Sequence, residues 1–71
     1  MSSAIWRKFG ARLRTLRRKR KWSQEELAYR IGMDVSYLSE LENGKKEPCR
    51  TRIHRIAKGF GLCISELLRD V

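Results

Sequence analysis

A chain of 71 residues with a net charge of +9 and two cysteines is one small domain with a marginal core, because about 60 residues bury only about 60% of their unfolded surface. No run of 18 apolar residues is present, which excludes a membrane-spanning helix, and two thiols are too few for a disulfide framework. The charge is uneven: residues 1–24 hold nine Lys or Arg and no acid, whereas residues 25–71 hold eight of each sign.

No long alternation and no hairpin dipeptide indicates a strand, and helical spacing predicts an all-α chain of five short helices. The start, "MSSAIWRKFG", lacks the apolar stretch of a signal peptide, so a cytoplasmic protein with reduced thiols is expected. Ser2 or Ser3 can cap a first helix. Its apolar stripe is Ile5, Phe9, Leu13 and Leu16, in steps of four, four and three, with Trp6 beside it. The stretch "RKFGARLRTLRRKRK" within it is either a solvated face or a footprint for a polyanion, and basic amphipathic helices also bind membranes. This helix is predicted to end near Lys21, with Trp22 turning inward. "SQEE" reads as a capping box, Ser23 at the N-cap and Glu26 at the third position, opening a second helix with Leu27, Ala28 and Ile31 inside. Asp34 is placed to cap a third helix with Leu38 and Leu41 inside. "NGKKEP" breaks the pattern. Ile53, Ile56, Ala57 and Phe60 form the stripe of a fourth helix, in which Gly59 is a weak spot worth about 1 kcal/mol relative to Ala. Gly61 ends it, and a last helix carries Ile64, Leu67, Leu68 and Val71.

The break inside "ELAYRIGMDVSYLSEL" is informative. A chain that needed only a core could run straight through position 32. Gly32 instead supplies a residue with positive φ, which ends one helix and allows the next to restart at a steep angle. Counted from Gln24, Leu27, Ile31, Met33, Leu38 and Leu41 are apolar at positions four, eight, ten, fifteen and eighteen. Ala28 is fifth, where a larger side chain would clash, and Gly32 is ninth. That spacing is the helix-turn-helix pattern, which presents one helix to a DNA major groove. An ordinary helical hairpin in a small bundle is the competing reading.

"WSQEELAYRIGMDVSYLSELENGKKEP" followed by "RIHRIAKGFGLCISELL" closely resembles the lambda-type phage repressors, the Cro proteins and their small bacterial relatives. The resemblance covers roughly residues 9–69. It implies the compact five-helix lambda-repressor-like fold, with the second and third helices as the motif, and binding to double-stranded DNA. It also implies residue roles. Gln24 matches a phosphate contact at a helix start, and Val35, Ser36, Tyr37, Ser39 and Glu40 match groove-facing positions. Val35 packed inward and Tyr37 flat against the body are the alternatives. Asn43, Lys45 and Lys46 match the phosphate-contacting loop, with Arg50 beyond them. Arg17 and Glu42 match a salt bridge between the first and third helices. Cys49 and Cys63 stand where relatives often have Ser, so those caps should be weak. The helix between them spans about 15 Å, too far for an intramolecular bridge. Cys49, His54 and Cys63 lack finger-like spacing, so no metal is expected.

The leading expectation is a sequence-specific transcriptional regulator that binds a palindromic operator as a homodimer, joined through Ile64, Leu68 and Val71 of the last helix. An antitoxin with a protein partner, or a restriction–modification controller protein, would carry the same fold, and RNA binding through the Arg-rich helix is a third possibility. No nucleophile has a recognisable base, and neither an enzyme, a cofactor nor a small-molecule ligand is expected.

Overall fold

The computed structural model describes residues 3–69 and 71, so Ser2 as a cap lies outside the described residues. Five helices follow in order: α1 (Ser3–Lys19), α2 (Gln24–Ile31), α3 (Val35–Glu42), α4 (Arg50–Phe60) and α5 (Ile64–Leu67), with no strand among the described residues. At about 1.5 Å per residue, α1 covers about 25 Å, against a longest molecular dimension of 30 Å. It packs on α3, α3 on α2, α2 on α4, and α4 on α5.

The apolar stripes meet in one core of Phe9, Leu13, Leu16, Leu27, Ile31, Leu38, Leu41, Ile56, Phe60 and Leu67, with Ala28 and Ala57 at close contacts. Ile5 departs from its expected place. It is 47% exposed, whereas Phe9 and Leu13 on the same stripe are fully buried.

The boundaries follow local chemistry. Ser23 Oγ accepts the Glu26 N–H at 3.0 Å, but the reciprocal half of the expected capping box gives way to a different bond: Arg30 Nε donates to Glu26 Oε2 at 2.7 Å. Asp34 has N-cap geometry without a side-chain capping bond, and so does Cys49. At the end of α2, Gly32 takes φ 66°, ψ 39°. Its N–H donates to Tyr29 O at 3.3 Å and the Met33 N–H to Ala28 O at 2.9 Å, a closing pair that a left-handed residue makes possible. Helix α1 closes with the same pair, Lys21 N–H to Arg18 O at 2.9 Å and Trp22 N–H to Arg17 O at 3.2 Å. There the left-handed residue is Lys21, φ 60°. The helix therefore ends at Lys19, two residues before the expected point.

Two helical glycines mark close crossings. A Cβ on Gly10 would lie 2.5 Å from the Leu41 carbonyl oxygen and 2.6 Å from that of Glu42, so α1 meets α3 backbone to backbone. A Cβ on Gly59 would strike the buried Ile31 Cγ2. The loss of helix propensity at Gly59 is the cost of bringing α4 against α2, not a weak spot.

Trp22 turns inward and stacks on Phe60, ring centroids 5.5 Å apart and 22° from parallel. The Arg30 guanidinium lies 4.3 Å from the Trp22 ring and that of Arg20 lies 5.2 Å from it. This layered stack joins the end of α1 to α2 and α4.

Candidate nucleic-acid interface

Helix α3 is held by one side only. Leu38 and Leu41 are fully buried, and so is the Glu42 side chain. Ser36 and Glu40 are exposed, while Val35, Tyr37 and Ser39 are half-buried. Val35 and Tyr37 both pack against the core, and the Arg52 guanidinium lies 4.5 Å from the Tyr37 ring centroid. Tyr37 is thus a ring clasped between the body and an arginine. Glu40 Oε1 lies 3.9 Å from Lys46 Nζ, both about half exposed. At that distance and exposure the pair contributes little to folding.

The anchor under α3 is ionic. Arg17 Nε donates to Glu42 Oε2 at 2.7 Å and Arg17 Nη2 to Oε1 at 3.1 Å, a two-pronged contact, while Arg17 Nη1 donates to Trp22 O at 2.8 Å. Gln24 Nε2 adds a bond to Glu42 Oε1 at 3.0 Å. One buried carboxylate therefore ties α1, α2 and α3. An amide nitrogen carries two protons, so Gln24 keeps one for a ligand beyond the bond to Glu42. Asn43 is in the same position: its Oδ1 accepts Arg14 Nη2 at 3.1 Å and its Nδ2 donates to Ser39 O at 3.0 Å. Lys45, Lys46 and Arg50 follow, all exposed.

The basic first helix is neither a plain solvated face nor wholly a footprint for an anion. Arg14 Nη2 donates to the last carbonyl of α3, Glu42 O, at 3.3 Å, and Arg20 Nη2 to the last of α4, Phe60 O, at 2.6 Å. Arg12 reaches the end of α5, with Nη2 to Glu66 O at 2.7 Å and Nε to Leu67 O at 3.2 Å. Three helix C-termini meet α1 or the turn that follows it, and a guanidinium bonds a terminal carbonyl at each one. With Arg17, four of the nine early cations are engaged inside the fold. Arg7 lies against Gly44, where a Cβ would sit 2.5 Å from Arg7 Cγ. This contact sets the front edge of α1 beside the loop after α3. Composition exposes the excess of charge but not this division of labour, since nothing in sequence shows where other helices end.

The remaining expected residues lie elsewhere. Ile64, Leu68 and Val71 are half-buried and pack against the core. Ile64 also lines a shallow hollow between α4 and α5 with His54, Ala57, Lys58, Leu62 and Cys63. Cys49 and Cys63 are free exposed thiols. The Cys49 thiol is held below its ordinary pKa, mainly by the backbone N–H of Arg52 in the first turn of α4. Among the described residues no group of three His, Cys, Asp or Glu side chains is placed to hold a metal ion, and no helix is long and apolar enough to cross a membrane.

The chain is similar to known proteins over nearly its whole length. The chain is 38% identical over 65 residues to the control protein C.MunI of a Mycoplasma species, covering 90% of this chain and 88% of that protein. It superposes on the crystal structure of the restriction-modification controller protein C.AhdI from Aeromonas hydrophila with a TM-score of 0.87 and 38% identity, over 90% of this chain and 97% of that one. An HTH-type transcriptional regulator of Mycobacterium tuberculosis is 38% identical over 53 residues, 75% of this chain but only 21% of that longer protein. The family described as "Helix-turn-helix domain" matches residues 8–70. With the turn at Gly32, the buried anchors of α3 and these likenesses along nearly the whole length, this chain belongs to the helix-turn-helix domain family.

Proposed function

We propose that the protein is a sequence-specific DNA-binding transcriptional regulator that inserts α3 into the major groove of a palindromic operator as a homodimer. The observation that carries this reading is the one-sided anchoring of α3. Leu38, Leu41 and Glu42 face inward, Ser36 and Glu40 face solvent, and the cations Lys45, Lys46 and Arg50 follow in the next segment. A helix with side chains is about 10–12 Å across, and the major groove is about 12 Å wide. Gln24, Asn43, Lys45, Lys46 and Arg50 take phosphates, which set position, while Ser36 and Glu40, with the uncovered parts of the half-buried Val35, Tyr37 and Ser39, meet the base edges, which select sequence. Arg17 and Glu42 hold the reading helix in register. A dimer is needed because one such module buries only about 600–1,000 Å² of protein surface on DNA; Ile64, Leu68 and Val71 supply the contact.

The restriction–modification controller reading is favoured within this class. The two named controllers are matched along 88% and 97% of their own lengths. Selection of bound duplexes from a random pool tests the proposal. The expected result is a palindrome whose half-sites lie about one helical turn apart. Enrichment of no duplex, or of single strands only, would overturn it.

A further inference from the structure

Five arginines are tied into this fold by hydrogen bonds among the described residues. Arg12, Arg14, Arg17, Arg20 and Arg30 each donate to a protein oxygen within 3.3 Å. Arg52 is placed differently: its guanidinium lies over the Tyr37 ring at 4.5 Å and its side chain also reaches the Cys49 thiol, but among the described residues it pairs with no carboxylate and donates to no protein oxygen. It is exposed, stands in the first turn of α4 two residues after Arg50, and rests on a side chain from the first turn of α3. A flat guanidinium stacked on an aromatic face keeps its rim of N–H donors free. Such a rim, positioned and met only by the weak acceptor Cys49 Sγ, fits the oxygens of a phosphate.

We propose that Arg52 is a further DNA-contacting residue, held by Tyr37 against a backbone phosphate at the edge of the groove that α3 enters. The proposal rests on the regulator reading above. In it Tyr37 acts partly through Arg52: the ring pre-orders the cation, so less side-chain freedom is lost when the phosphate is met. The contact also links the reading helix to the start of α4, so that the phosphate registers the angle of α3.

The test is duplex binding across a salt series, using the duplex selected by the wild-type chain and several single-base variants of it. Arg52→Ala should bind all of them about tenfold or more weakly, with the log–log salt slope reduced by about one per protomer. Arg52→Lys should recover the slope, because it keeps the charge. Tyr37→Leu should weaken binding in the wild-type background and have a smaller effect in Arg52→Ala, a coupling that a double-mutant cycle reads directly. A melting temperature for each variant separates folding from binding. Arg52→Ala that binds with unchanged affinity and slope, whether or not its melting temperature falls, reduces the stack to a structural contact and overturns the proposal. Loss confined to one base position at unchanged slope overturns the phosphate assignment. A wild-type chain that enriches no duplex overturns this proposal and the regulator reading together, whereas a binding wild type beside an unaffected Arg52→Ala overturns this one alone.

Discussion

Glu42 is the one buried charged residue among those described, at 3% exposure, and its carboxylate is tolerated because Arg17 and Gln24 satisfy both oxygens. Removing it strands the Arg17 guanidinium, whose side chain is 12% exposed. Breaking such a pair costs about 3–5 kcal/mol, against a total of about 4–10 kcal/mol for a chain of this size. Glu42→Ala is therefore expected to lose a large share of its stability, read as a lower urea midpoint at unchanged slope. A midpoint near that of the wild type would show that the three helices hold together without the carboxylate. Glu40 is the opposite case. Its pair with Lys46 is long and exposed, so Glu40→Gln should leave the melting temperature alone. A carboxylate facing DNA accepts well from the amine of cytosine, and Val35 suits a thymine methyl. Glu40→Gln is expected to lose a cytosine preference in each half-site, a change of about 1–3 kcal/mol at that position. Uniformly tighter binding to every sequence would instead mean that Glu40 only repels phosphate.

Among the elements, α1 differs most from its appearance in sequence. Helical stripes, the Ser23 cap and the turn at Gly32 were readable because each rests on neighbours within a few positions. The core list followed from them, apart from Ile5, which is exposed, and Ile53, which is half-buried. The work of Arg12, Arg14 and Arg20 was not readable, because it depends on where three other helices finish. Gly10 was silent for the same reason: its need arises from the Leu41 and Glu42 carbonyls, some thirty residues away. Tyr37 was readable as a choice between two places, and its partner Arg52 was missed because the spacing gives no sign of the stack. The turn that closes α1 also carries a local conflict. Lys21 sits at φ 60°, a conformation that costs a residue with a Cβ about 1–2 kcal/mol. Glycine removes that strain while adding about 0.5–1 kcal/mol of backbone entropy loss on folding. Lys21→Gly is thus expected to stabilise the fold by about 0.5–1 kcal/mol, visible as a rise of a few degrees in thermal unfolding. A fall would mean that the lysine side chain contributes more than its backbone costs.

For the whole molecule, the decisive quantity is association. Ile64, Leu68 and Val71 are only half-covered by their own chain, and an aspartate at position 64 would bring a charge into any interface built on them. Ile64→Asp is expected to sediment as a monomer under conditions where the wild type associates, and to lose half-site cooperation on DNA. Unchanged association would place the dimer contact elsewhere. The one-sided anchoring of α3 has a further consequence, for how such proteins diverge. The residues that fix the helix, Leu38, Leu41 and Glu42, are buried, whereas Ser36 and Glu40 are exposed. Mutation at those two outward positions is nearly free of folding penalties, so operator preference can drift quickly on an unchanged scaffold. Tyr37 is the exception: with Arg52 leaning on it, a change there must be matched across two helices, which makes it the slowest position on the reading face to evolve.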